Sequence, residues 1–563
     1  MRSFRAAFLC AAIFTIAAAG QSAPASPPND PSLNPILAYI HSGWDSLTRS
    51  TSSCAAVVDP KLAAPPVIYL PAGFQEPDDL KRMEHECKVT VSYLPAVIHG
   101  LGTADVQSIS PPGLLYLKNK YVVPGGRFNE MYGWDSYFII LGLLRDGRLD
   151  LARGMVDNFF FEIENYGAVL NANRTYYLTR SQPPFLSSMV MAVHEAQKAA
   201  GHDDRAWLET AYSFVKRGHD IWTKEPHLAG NTGLSRYYDF GEGPAIESLQ
   251  DETHLYRQVA AYFLLNPTLP AYVAESNSVP PTEASGAPYS VRVCGTKELQ
   301  SSCEPEQLIK LTPDYYKGDR SMRESGFDIS FRFGPYGAAT HHYAPVCLNS
   351  LLFKTERDLE EISRLLGKTS DASEWRRLAD SRRELIQKYL WDDQQGMFFD
   401  YNFDEGKRSG YRYATTFYPL WAGLATEAQA KAVVRNLGVF EQPGGLAMSV
   451  HKTEGQWDYP YGWAPIQLLA IEGMRRYGFN AEADRVSSEF LSMVFENFER
   501  DKAIREKYNV VTRSSETDVK AGYKANVIGF GWTNAAFVEL LHALPPEKIN
   551  QFAQSVRPAG PSQ

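Results

Sequence analysis

Past residue 20, no run in the 563-residue sequence approaches the ~18 uncharged apolar residues that a membrane-crossing helix needs. Long basic blocks are missing as well. The formal net charge is −9, and without a cationic face to set against phosphate the chain is not built to bind nucleic acid. Cysteine is scarce, six residues in all, and no two are spaced C-x-x-C, which disfavours a thiolate zinc site. No fixed-period repeat is visible, so a solenoid scaffold is disfavoured. Strands do not alternate with helices in the way that a parallel sheet requires.

The first twenty residues, MRSFRAAFLCAAIFTIAAAG, are the exception to this plainness. Arg2 and Arg5 precede an apolar stretch from Ala6 to Ala18, and small residues follow. This is the pattern of a secretory signal peptide over residues 1–20, cut near Gly20 or Ala25. The expectation is therefore a secreted, periplasmic protein without a membrane anchor. Export permits disulfides. Cys294 and Cys303 are close in a polar insertion and form the first candidate pair, Cys54 and Cys87 the second, which leaves Cys347 free.

What is present is an ordinary globular composition, 44% hydrophobic and 21% charged. Aromatics reach 12%, with 31 Tyr and 10 Trp, and their faces suit both core packing and stacking on sugar rings. Residues 21–60 form a leader and extension, Pro-, Ser- and Ala-rich from Ser22 to Asn34. Residues 61–545 are expected to form one domain and 546–563 a tail. From about Trp134 onward the pattern is helical. Leu208, Ala211, Tyr212, Val215 and Trp222 share a face at 3.6-residue spacing, as do Trp375, Leu378, Leu385, Ile386 and Tyr389, and Val486, Phe490, Met493, Val494 and Phe498. Further helices are expected near 136–146, 148–162, 184–200, 250–264, 350–366, 411–435, 464–476 and 531–543, with an irregular insertion at 267–305. Paired helices joined by short loops point to an all-α toroid whose loops gather at one end.

Five of those loops carry chemistry. PGGRFNEMYGWDSY (124–137) offers Arg127, the flat face of Trp134 and the acceptors of Asp135. NANRTYYLTRSQPP (171–184) offers Asn171, Arg180 and Gln182. In RESGFDISFRF (323–333), Asp328 follows the flexible Gly326 and stands between Phe327 and Phe331. Burial among aromatics raises a carboxyl pKa, as a general acid requires. GQWDYPYGWAP (455–465) brings Trp457 and Trp463. In REKYNV (505–510), followed by GFGWTN (529–534), Glu506 closes a long helix with Lys507 beside it, and a neighbouring cation keeps a carboxylate ionised, as a general base requires. Each loop alone fits a helix cap, a turn or a solvated ion pair. Five together, each at the end of a helical stretch, are harder to dismiss.

These blocks resemble the trehalases of glycoside hydrolase family 37. PGGRFNEMYGWDSY and QWDYPYGWAP are similar to the two diagnostic motifs of that family, and NRTYYLTRSQPP, ESGFD, EKYNV and GFGWTN follow in its order, over roughly residues 60–545. The resemblance implies an (α/α)6 barrel and a monomeric glycosidase that hydrolyses α,α-trehalose to two glucose molecules with inversion, needing no metal or organic cofactor. It also implies Asp328 as general acid, Glu506 as general base, and Arg127, Trp134, Asp135, Asn171, Arg180, Ser181, Gln182, Glu247, Gly326 and Trp457 as substrate contacts. Inversion sets the two catalytic carboxyl groups ~6.5–9.5 Å apart, leaving room for a water. Three departures touch the rim: Ala245 where arginine is expected, Phe327 and Phe333 where tryptophan is expected, and SSETDVKAGYKANVI in place of a Gly-rich run with a second glutamate. They motivate the rival reading of a related barrel glycosidase acting on another α-glucoside. A non-catalytic sugar-binding protein is the more distant rival, which retention of both candidate carboxyls opposes.

Overall fold

The computed structural model describes residues 30–62, 64–248, 254–266, 269, 272–275, 289–292 and 306–555. Twelve helices make the frame: α1 (Asn34–Leu47), α2 (Asp135–Arg145), α3 (Leu149–Asn165), α4 (Leu186–Ala199), α5 (Arg205–Trp222), α6 (Val346–Leu365), α7 (Thr369–Tyr389), α8 (Tyr418–Trp421), α9 (Glu427–Arg435), α10 (Ala464–Arg476), α11 (Asn480–Asp501) and α12 (Gly531–Ala543). The even-numbered helices close a ring. Helix α2 packs on α4, α4 on α6, α6 on α8, α8 on α10, α10 on α12, and α12 back on α2. The odd-numbered helices lie outside: α3 against α2 and α4, α5 against α4 and α6, α7 against α6, α11 against α10 and α12, and α1 against α12. Helix α9 sits beside α7, with Gln387 Nε2 donating to Gln429 Oε1 at 3.0 Å. This is an (α/α)6 barrel, as expected.

The two rings differ in sequence for a physical reason. Outer helices bury one stripe. In α5 the buried set is Trp207, Leu208, Ala211, Tyr212, Val215, His219 and Trp222, and its N-cap Asp204 accepts from the Trp207 amide at 3.0 Å. Inner helices meet neighbours on more sides, and α12 shows this most plainly. Gly531 to Val538 of α12 is buried without a break. Packing is close at Gly142 of α2, where an added Cβ would lie 2.8 Å from the Trp44 ring of α1 and 2.9 Å from Ala535 of α12. The helix expected over 411–435 is divided. Residues 422–426 turn the chain, and Thr426 opens α9 with a capping box completed by Gln429.

Connections are unequal. From inner to outer helix they take three to five residues (146–148, 200–204, 366–368, 422–426 and 477–479). From outer to inner helix they are long (48–134, 166–185, 223–345, 390–417, 436–463 and 502–530). All the chemistry-bearing motifs lie in the long set or on the first residues of the inner helices that follow. Short strands staple these loops together. Tyr461–Trp463 pairs antiparallel with Lys507–Asn509, which sets Trp463 opposite Lys507.

Not every strand was legible in advance. Val67–Leu70, Thr90–Tyr93 and Leu114–Leu115 form a three-stranded parallel sheet, too short in each run to show periodicity. Parts of the insertion, Val273–Glu275 and Tyr289–Arg292, pair with Glu306–Leu311. Cys54 is bridged to Cys87, and Cys347 is free and buried. The proposed Cys294–Cys303 pair and the N-terminal residues 1–20 lie outside the described residues. No helix among the described residues is long and apolar enough to cross a membrane.

Candidate active site

The long connections converge on one cavity with about 810 Å³ of open space including its mouth. From the loop before α2 come Arg127 and Trp134, with Asp135 as the first residue of the helix. From the loop before α4 come Asn171, Arg180 and Gln182. The connection before α6 brings Glu247, Gly326 and Asp328, that before α10 brings Trp457, and that before α12 brings Glu506. Ser181 is the one candidate that does not line it. Its hydroxyl donates to Val169 O at 2.6 Å and its amide to Glu324 Oε1 at 3.1 Å, so it braces the wall from behind.

Three carboxyl groups act on one another here. Burial pushes Asp135 well above the ordinary carboxylate range, and the charges of Glu506 and Asp328 add to the effect. Glu506 is buried, and its pKa is also raised: burial outweighs the opposing pull of Lys507 and Tyr523. Two expectations for Glu506 are thereby corrected. It does not close a helix, since α11 ends at Asp501 and Glu506 stands just before the strand Lys507–Asn509. Nor does Lys507 hold its pKa down, because desolvating a carboxylate costs more than one cation 3.9 Å from Oε2 returns. The Glu506 backbone is fixed at both ends, its amide donating to Val527 O at 3.1 Å and its carbonyl accepting from Trp532 Nε1 at 3.3 Å. Tyr523 donates to Oε1. Oε2 accepts no hydrogen bond among the described residues.

Asp328 is half-buried, and its carbonyl accepts from Gln456 Nε2 at 2.7 Å. Oε1 of the same amide accepts from Lys507 Nζ at 2.8 Å. The backbone of one candidate catalytic residue is thus tied through Gln456 to the side chain next to the other. The flanking rings turn elsewhere. Phe327 packs against Trp134, Tyr413 and Trp457, and Phe331 against Tyr262 and Tyr336. Gly326 sits at φ +77°, and an added Cβ would stand 2.9 Å from the Trp134 indole, so only glycine lets the chain pass there.

The walls combine planar faces with fixed hydrogen-bonding groups. Trp457 stacks on Trp463 with centroids 3.9 Å apart and planes 6° from parallel, and Trp134 and Trp532 meet the pair at an angle. Trp463, fully buried, belongs to the core, whereas Trp457 lines the cavity. Arg180 donates through Nε to Asn171 Oδ1 at 2.6 Å, pairs with Glu247, and lies 4.8 Å over the Tyr177 ring. Burial raises the Glu247 carboxyl, but Arg180 and Arg323 outweigh it and hold the pKa at about 2. Gln182 Oε1 accepts from the Trp134 amide at 3.0 Å, locking the first two motifs together.

Sequence reasoning missed Lys61, Arg323, Tyr523 and Trp532 as lining residues. Trp532 and Arg323 lay inside the quoted motifs without being singled out. Tyr523 lies in the stretch that departs from the family's Gly-rich run. Lys61, paired with Glu130 at 3.1 Å, gave no signal in the sequence. Of the departures, Ala245, Phe327 and Phe333 do not line the cavity, whereas the stretch SSETDVKAGYKANVI lines it through Tyr523; Arg323 supplies a cation near Glu247.

Comparison with known proteins agrees with this geometry. The family model described as Trehalase matches residues 33–298 and 312–545. The chain belongs to the trehalase family. Within the family it is 36% identical to a probable trehalase of Eremothecium gossypii, over 91% of this chain and 73% of that one. It is likewise 36% identical to the cytosolic neutral trehalase of Saccharomyces cerevisiae, over 88% and 69%. The solved structure of neutral trehalase Nth1 from Saccharomyces cerevisiae superposes with a TM-score of 0.73 at 31% identity, covering 94% of this chain and 96% of that one. The rival reading of another α-glucosidase is not favoured by these matches.

One expectation is overturned. Relatives from Saccharomyces cerevisiae, Kluyveromyces lactis and Neurospora crassa are cytosolic neutral trehalases. The reading of residues 1–20 as a signal peptide, and of the protein as secreted and periplasmic, is withdrawn. An arginine-flanked apolar run of that length fits export but is not specific to it.

Proposed function

We propose that this chain hydrolyses α,α-trehalose to two glucose molecules by a single displacement between Asp328 and Glu506, and that, like its relatives, it works in the cytoplasm. The observation that carries this reading is the meeting of Asp328, Glu506 and Asp135 in one cavity walled by arginine and indole. Trehalose joins two anomeric carbons through one oxygen. Asp328 hands its proton to that oxygen as the bond to one anomeric carbon breaks, through an oxocarbenium-like transition state. Glu506 takes a proton from a water that attacks the same carbon from the opposite face. Its Oε2 is the oxygen for this step, since Tyr523 occupies Oε1. The attacked glucose leaves as the β-anomer and the other as the α-anomer. Asp328 is then ionised and Glu506 protonated, and exchange with solvent restores both.

Asp135, Arg127 and Arg180 bind sugar hydroxyls in this reading, and Trp134 and Trp457 supply faces for the pyranose rings. The test is glucose release by the purified protein from trehalose, maltose and glucosylglycerate side by side. Release from trehalose far above the other two is expected. Release from maltose or glucosylglycerate with trehalose untouched would overturn the assignment.

A further inference from the structure

Away from the cavity, two adjacent histidines converge with a carboxylate from another part of the chain. His341 Nε2 lies 2.9 Å from Asp314 Oδ1, and His342 Nε2 lies 3.7 Å from the same oxygen. One ligand atom from each of the three residues falls within 4.8 Å of the others. The imidazoles face each other with centroids 3.9 Å apart. His341 is buried, and its Nδ1 has no hydrogen-bond partner among the described residues.

The second imidazole is oriented from behind. His342 Nδ1 is hydrogen-bonded to Asp404. With the proton on Nδ1, the Nε2 lone pair points toward Asp314 and His341. A carboxylate behind a histidine is the arrangement that fixes the tautomer of a metal ligand. Asp404 is itself positioned. It lies in the turn between Tyr401–Asn402 and Lys407–Arg408, where Asn402 Oδ1 accepts from the amides of Asp404 and Glu405 at 3.1 and 3.0 Å. The strand Tyr401–Asn402 pairs with Tyr343–Ala344, the residues directly after His342. Arg236 Nη1 holds the His341 carbonyl at 2.8 Å. The His342 imidazole is thus set by a contact outside the three converging atoms, and the His341 main chain is held in place beside it.

We propose that Asp314, His341 and His342 bind one divalent transition-metal ion, zinc by the chemistry of the donor set, with Asp404 orienting His342. Two imidazole nitrogens and one carboxylate oxygen suit zinc, with water in the fourth position. Tetrahedral bonds of ~2.0–2.2 Å would set the ligand atoms ~3.3 Å apart. The measured 2.9 and 3.7 Å straddle that value, and the remaining pair lies within 4.8 Å. The ion's role is structural. Asp314 stands in the first turn of the helix Pro313–Glu324, whose far end leads through Gly326 to Asp328. A metal at its start ties that helix to the turn after Asn402.

Cobalt(II) titration of the EDTA-stripped, full-length protein tests this. One equivalent should bind with the intense visible bands of a tetrahedral site, and one equivalent of zinc should abolish them. His342→Ala and Asp314→Asn should lose the bands. Asp404→Asn should keep them with affinity roughly 10–100-fold weaker. Trehalose hydrolysis should survive EDTA, so that failure of this proposal is separable from failure of the catalytic reading. Cobalt binding without tetrahedral bands in the wild type, or bands that persist in His342→Ala, would overturn the site.

Discussion

The phenol of Tyr523 donates a hydrogen bond to Oε1 of Glu506. The same ring lies 4.0 Å under Lys507 Nζ and 5.9 Å from the Arg127 guanidinium. A residue from a stretch that departs from the family pattern therefore touches the proposed base directly.

Tyr523→Phe removes a donor that lowers the Glu506 pKa, against a burial effect that raises it. The base acts ionised, so activity falls as pH drops through its pKa. That acid limb should lie above the ordinary glutamate value of ~4.3 in the wild type and move to higher pH in the variant. A pH profile of kcat/KM checks this, and an unmoved limb would deny the contact its role.

Glu506→Gln should lower kcat roughly 10²–10⁴-fold, the contribution of general acid–base catalysis, yet stabilise the fold. The folded pKa of Glu506 lies above the unfolded one. Stability is thus lost as pH rises from the unfolded value through the folded value, and stays lost above it. Removing the charge should raise Tm at pH 7, with the gain vanishing below the unfolded pKa. Thermal unfolding at several pH values reads it.

Much of this was legible in the sequence, and the reasons for success and failure are physical. Outer helices bury a stripe, so Leu208, Tyr212 and Val215 announced α5 through spacing alone. Inner helices such as α12 are buried all round, and their apolar runs marked them. The cavity residues were visible where they lay in motifs, as Arg180 and Trp457 do. Lys61 was not, because its place depends on a pairing with Glu130 that only the fold creates. Ser181 shows the reverse: its sequence neighbours face the cavity, but its own side chain turns back to Val169. The direction of the Glu506 pKa shift was missed because a sequence displays the adjacent Lys507 and hides the burial.

Gly326→Ala should cost roughly 1–3 kcal/mol of stability, the range for a strained backbone. The new Cβ meets the Trp134 indole at a backbone angle reserved for glycine. Tm and tryptophan fluorescence should both change, and kcat/KM should fall with them. A silent substitution would mean that the Asp328 loop is not held against Trp134.

Arg180→Lys keeps the charge but cannot satisfy Asn171 and Glu247 at once. Steady-state kinetics should show KM for trehalose rising roughly 10–100-fold, the worth of one hydrogen bond to a charged group, with a smaller change in kcat. An unchanged KM would remove Arg180 from the substrate contacts.

The central claim is that Asp328 and Glu506 act on opposite faces of one anomeric carbon, and the anomers of the first-formed glucose report on it most directly. Proton NMR of trehalose hydrolysis, recorded before mutarotation, should show one β-glucose and one α-glucose for each trehalose consumed. Two α-glucose molecules per trehalose would contradict the account.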